Sequence, residues 1–77
     1  MVQELDLVVL TKDIHEYGLE RGDIGTVVHI YQDRKNYEVE FVTSEGATIA
    51  VLTLSEHDIR SRASREILHV REVATVG

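Results

Sequence analysis

Three glycines fall within eight residues in the stretch Tyr17-Gly18-Leu19-Glu20-Arg21-Gly22-Asp23-Ile24-Gly25-Thr26-Val27-Val28, and they limit what this chain can form there. A helix does not survive that density of glycine. Tight turns and close backbone approach require it. Gly18, Gly22, Asp23 and Gly25 are therefore read as the fold-defining turns, with Asp23 able to hydrogen-bond its own turn and Leu19 expected to plug the core between two of them. From Gly25 the residues Thr26-Val27-Val28-His29-Ile30-Tyr31 are β-branched or aromatic at five of six positions, which predicts a strand over residues 24–31.

The rest of the chain supplies its partners. Leu5 to Leu10 is a β-rich run with Asp6 expected on the solvent side, and 13–21 is expected to be a long loop packed back onto the sheet. Tyr37-Glu38-Val39-Glu40-Phe41-Val42 alternates with period two, placing Tyr37, Val39 and Phe41 on one face and Glu38 and Glu40 on the other. A turn over 43–46 leads to a fourth strand over 47–54. Ser55 followed three residues later by Asp58 predicts a capped single turn of 3₁₀ type, and Ile59-Arg60 a short closing strand. Five short strands joined by a long first loop and short hairpins predict an all-β chain, a small five-stranded SH3-like barrel over 1–60. Residues 61–77 form a C-terminal extension, expected to be an extra strand or an association arm because Val70, Val73, Thr75 and Val76 are β-branched.

Seventy-seven residues allow one domain, and a chain this short buries only about 60 to 65% of its unfolded surface. Association with another chain would help it. No cysteine is present, which removes disulfides, thiolate metal sites and thiol nucleophiles together. A cytoplasmic, soluble protein is expected, since the first residues carry no basic region before an apolar run and no run approaches the roughly 20 residues of a membrane span. The net charge of −6 is uneven. Residues 1–59 carry −8 and residues 60–77 carry +2. An acidic body repels phosphate backbones, so nucleic acid is disfavoured and partners with basic surfaces are favoured.

The glycine stretch together with Tyr37-Glu38-Val39-Glu40-Phe41, Thr53-Leu54 and Ile59-Arg60 resembles a family of small uncharacterised bacterial proteins, common in cyanobacteria and classed as a domain of unknown function. The resemblance covers roughly 5–60. It implies an SH3-like barrel of stand-alone length and no assigned activity. Such families often sit beside a gene for another small protein, which would suit a paired system such as toxin and antitoxin. More distantly, Gly22 to Val28 is similar to the corresponding strand of KOW-type and nitrile hydratase β-subunit barrels, which bind ribosomal or transcription partners or another subunit.

Candidate chemistry is thin. His15, His29, His57 and His69 include no pair at the i, i+4 spacing of a helical zinc site, so no metal is expected, although His15 and His57 beside Asp58 could meet only in space. Glu38 and Glu40 share a strand face about 7 Å apart, a separation that paired carboxylates use, but their alternation with the core residues marks a solvated surface. Ser44, Ser55, Ser61 and Ser64 lack a nucleophile context. Gly22-Asp23-Ile24-Gly25 lacks the Lys-Ser/Thr pair of a phosphate loop. No catalytic residue and no cofactor is expected, and no small-molecule ligand is specified.

Association is the better reading. Tyr17 and Tyr31 are the aromatics expected at the surface, and Asp13, Glu16, Glu20 and Asp23 form an acidic patch suited to a basic partner. An apolar tail with Ile67, Leu68, Val70 and Val73 needs cover, from its own sheet or from another chain, with Arg60, Arg62 and Arg65 reaching that chain's acidic face. The contact residues expected are Tyr17, Glu20, Tyr31, Arg60, Arg62, Ile67 and Val70. The function expected is a non-enzymatic protein-protein interaction module, a homodimer or the small partner of a second protein. The alternatives are a weak nucleic-acid-binding KOW-like accessory domain, or a small enzyme or metal-binding protein using the histidines.

Overall fold

In the computed structural model, residues 2–73 are described. Five strands, β1 (Leu7–Leu10), β2 (Ile24–Ile30), β3 (Asn36–Val42), β4 (Thr48–Ser55) and β5 (Ile59–Ser61), form one antiparallel sheet in the order β4-β3-β2-β1-β5. The sheet is open: β4 and β5 are its two edges and do not pair with each other. Closure into a barrel, expected from the sequence, is not seen.

The alternation in β3 sorts its residues as its sequence predicts. Tyr37, Val39 and Phe41 are buried, and they face Leu54, Leu52 and Ala50 across the β4 ladder. Val8 and Leu10 of β1, Val27 of β2 and Ile59 of β5 complete the same core face, with Leu19 inserted from the first loop. The Tyr37 hydroxyl donates to the Arg34 carbonyl at 3.2 Å, so its one polar atom is satisfied. Glu38 and Glu40 lie on the outer face, each accepting a hydroxyl hydrogen bond from β4, from Thr53 and Thr48.

Several local expectations shift. The first strand begins at Leu7, not Leu5, because Asp6 draws residues 3–6 into a turn: its carboxylate accepts the Gln3 N–H at 2.8 Å and its own N–H donates to the Gln3 carbonyl at 3.1 Å. Among the described residues a 3₁₀ turn lies at His15–Tyr17, inside the loop expected to pack back onto the sheet, and Gly18 closes it with φ +69. Ser55 and Asp58 do cap one another, the Asp58 carboxylate accepting the Ser55 N–H at 3.0 Å, but 56–58 form an ordinary turn and not 3₁₀ helix. The ladder between β2 and β3 shifts register between Val27 and His29, and β2 ends at Ile30, one residue short of the expected Tyr31. No strand forms in residues 62–73, so the extra strand expected there is absent; Thr75 and Val76 lie outside the described residues. Side-chain ion pairs at Glu66 and Arg71, rather than ladder bonds, hold that segment in place.

Gly25 is the tightest point of the core. A Cβ at this position would stand 2.5 Å from Val39 Cγ1 and 2.8 Å from Phe41 Cε1, contacts no side chain tolerates. Glycine is required here by crowding, whereas at Gly22 (φ +95, open space around it) it is required by backbone conformation. Gly25→Ala is expected to lower stability in urea unfolding by about 2 to 3 kcal/mol through overpacking. A change below about 0.5 kcal/mol would contradict this close approach of β2 to the β3 side chains.

Candidate functional site

The tail after β5 runs from the outer face of the sheet at residues 66–69 to a groove beside the core residues Leu19 and Phe41 at residues 70–73, and two arginine clamps define its course. On the outer face Ile24, Val9 and Arg60 form one cross-strand row, from the pairings Val9 with Ile24 and Val9 with Arg60. Val9 is buried although it points away from the core. Glu66 to His69 of the tail line a cleft of about 210 Å³ with this row, so the segment supplies the cover that Val9 and Ile24 need.

The first clamp is local. Arg60 donates two parallel hydrogen bonds to the Glu66 carboxylate, one of them 2.9 Å, and the Ala63 N–H donates to the same group at 2.6 Å. The Arg60 guanidinium and that N–H hold the Glu66 carboxyl down to about 2. A bidentate pair of this kind fixes direction as well as distance.

The second clamp spans the chain. Arg71 donates through Nε to Asp23 Oδ1 at 2.8 Å, through its terminal nitrogen to Asp23 Oδ2, and to the Gly18 carbonyl at 2.9 Å, while Glu20 stands 3.5 Å away. The Asp23 side chain is 19% exposed and the Arg71 side chain 26%. Burial pushes the Asp23 carboxyl up, but the Arg71 guanidinium and the Glu20 N–H outweigh it and leave it below its ordinary value of 3.8. Asp23 thus shapes its own turn and receives the tail.

Between these clamps the tail presents apolar side chains to solvent. Ile67 is 92% exposed and Val70 88%, on a segment fixed at both ends. Beyond Val70 the tail borders a groove of about 630 Å³ floored by Leu19, Ile24, Phe41 and Ile49 and rimmed by Thr43 and Ser44.

The residues singled out from sequence separate into groups. Glu20, Ile67 and Val70 lie on or beside the anchored tail. Arg60 pairs with Glu66 within the chain while its side chain stays 47% exposed. Arg62 is exposed beside the smaller cleft. Tyr17 ends the 3₁₀ turn, exposed, and Tyr31 sits just past β2 with its ring edge-on to His29 at 4.8 Å. Of the acidic patch, Asp13 is spent on the Arg21 N–H and Asp23 on Arg71. His15 and His57 each stand near one carboxylate, Asp13 and Glu56, and among the described residues no group of three or more His, Cys, Asp or Glu is placed to hold a metal ion. No helix among them is long and apolar enough to cross a membrane. Arg71 escaped notice in the sequence; its signal is a lone arginine between Val70 and Val73, facing an acidic loop far away in the chain.

Residues 4–61 match the profile of a domain of unknown function, DUF4926. The chain belongs to this family. The match ends at the last residue of β5, so Asp23 falls within the DUF4926 region and Glu66 and Arg71 fall beyond it. The chain matches no curated protein and no solved structure.

Because the folded Asp23 carboxyl lies below its ordinary value, its contribution is complete above that value and is lost as pH falls through the folded one. Tail resonances followed by NMR should therefore move to their free positions only below pH 3.8 in the wild type. In Arg71→Met they should be free at neutral pH, with global stability lower by about 1 kcal/mol. Unchanged tail shifts in Arg71→Met would refute the clamp.

Proposed function

We propose that this DUF4926 chain is a non-enzymatic association module, the small partner of a second protein, which it meets through the anchored tail. One observation carries the reading: Ile67 and Val70 stand 92% and 88% exposed on a segment tied down on both sides of them. A free tail would lose entropy on binding; a clamped one has lost most of it in folding. Apolar side chains at the centre of a contact, ringed by charged residues such as Arg62 and Glu72, are what protein interfaces use.

The architecture proposed is an opened SH3-like meander. Supporting it are the strand order β4-β3-β2-β1-β5, the pairing of β1 with β5 and the long first loop that delivers Leu19 to the core. A cytoplasmic bacterial setting, with the companion encoded next to it in a paired system, fits a cysteine-free chain. The acidic body favours a companion with basic surface around an apolar centre.

The test is affinity capture from the native cell extract with the wild type and with Ile67→Glu/Val70→Glu, positions too exposed for the change to unfold the sheet. A stoichiometric companion retained by the wild type and weakened at least about 100-fold by the double variant is expected. Equal capture by both would overturn the role of the tail.

A further inference from the structure

We infer that the β4 edge pairs antiparallel with the β4 edge of a second copy of this chain, joining two five-stranded sheets into one. This interface is separate from the tail surface and does not depend on it.

The two edges of the open sheet are built differently. β5 is three residues long and carries Arg60, with Arg62 just beyond its end, the short and charged form that discourages strand addition. β4 is eight residues long, Thr-Ile-Ala-Val-Leu-Thr-Leu-Ser, with no charge and no proline. Among the described residues its only neighbour is β3. An uncharged edge strand of that length is a template for pairing.

The phase of the ladder says which groups are free to pair. Antiparallel strands exchange both hydrogen bonds at every second residue pair. The Glu56 N–H donates to the Lys35 carbonyl at 2.8 Å, one place beyond the Asn36 and Ser55 pair, so Leu54, Leu52 and Ala50 turn their bonding groups to β3. Val51 and Thr53 turn theirs outward. Ser55 would be next, but its N–H is taken by Asp58, and the register shift near Val42 interrupts the other end. The usable edge is centred on Leu52.

A second copy fits that edge in chemistry. With a two-fold axis at Leu52, Val51 bonds Thr53 of the copy, and Thr53 bonds its Val51. On the core side Leu52 meets Leu52, and Ala50 meets Leu54. Half-buried Leu52 and exposed Val51 then gain apolar cover, and no charge stands opposite another. On the outer face the Thr53 and Thr48 hydroxyls of β4 hold the Glu38 and Glu40 carboxylates over β4, and Glu56 follows its last residue, so the pairing brings acidic groups of the two copies towards one another. Two chains of net charge −6 therefore pair along this edge more tightly as salt is raised. A chain of 77 residues also gains from the added core.

The pairing buries less than the about 1,200 Å² of a standard interface, so the dimer is weak and concentration-dependent. Sedimentation equilibrium of the full chain from about 10 µM to about 1 mM should show the mean mass rising towards twice the protomer mass. Val51→Pro removes an outward N–H without touching the β3 ladder, and Val51→Lys places a charge on the edge. Both should weaken dimerisation at least about tenfold, with unfolding in urea used to confirm that each variant is folded. Ile67→Glu/Val70→Glu should dimerise as the wild type does. A protomer mass throughout, or wild-type dimerisation by both Val51 variants, would overturn the inference. Dimerisation abolished by the tail variant alone would move the self-contact to the tail and equally refute a β4 interface.

Discussion

The carboxylate of Asp23 accepts hydrogen bonds from the Glu20 N–H, inside its own turn, and from the Arg71 guanidinium, 48 residues further along the chain. The same residue's backbone carbonyl accepts the Leu10 N–H at 2.9 Å, tying the turn to the end of β1. One side chain thus closes the long first loop, aims Leu19 at the core and receives the tail. A neutral residue there would leave the partly buried Arg71 guanidinium with only the more exposed Glu20, 3.5 Å away, as counter-ion, and a weakly paired buried charge is costly.

From that junction the two faces of the sheet acquire different roles. The inner face is closed by aliphatic packing so tight at Gly25 that a methyl group does not fit. The outer face near β1 and β2 is closed by the tail, which converts Val9 and Ile24 from exposed apolar residues into covered ones. What the tail hides on one side it replaces on the other, since Ile67 and Val70 project outward from it. The proposed association rests on this arrangement: the chain settles its own edge at β5 and its own outer row, and leaves apolar surface on the tail and an uncharged edge at β4.

How much of this could be read from the residues varies with the range of the interaction. The β3 face pattern, the burial of Leu19 and the contact between Ser55 and Asp58 depend on neighbours within a few positions, and alternation or spacing reveals them. The 3₁₀ turn at His15–Tyr17 was hidden because three residues are too few for a periodicity, and the bulge after Val27 because a register shift leaves no mark in composition. Sheet closure depends on strand coiling, which short apolar runs do not encode. The strand that was one expectation for the tail does not form over residues 62–73 for a related reason. Its β-branched residues carry strand propensity, but the ion pairs of Glu66 and Arg71 place it over an outer row where no ladder is available. Arg71 itself could be recognised only once Asp23 was seen to face it.

The central claim is that residues 66–73 are an ordered part of the fold, held against the sheet and the first loop by Asp23 and Glu66. Backbone ¹⁵N relaxation tests it most directly. Order parameters near 0.85 from Glu66 to Glu72, level with those of β1 and β2, are the predicted result. Values below about 0.6 from Arg62 onward would describe a free tail and contradict the account.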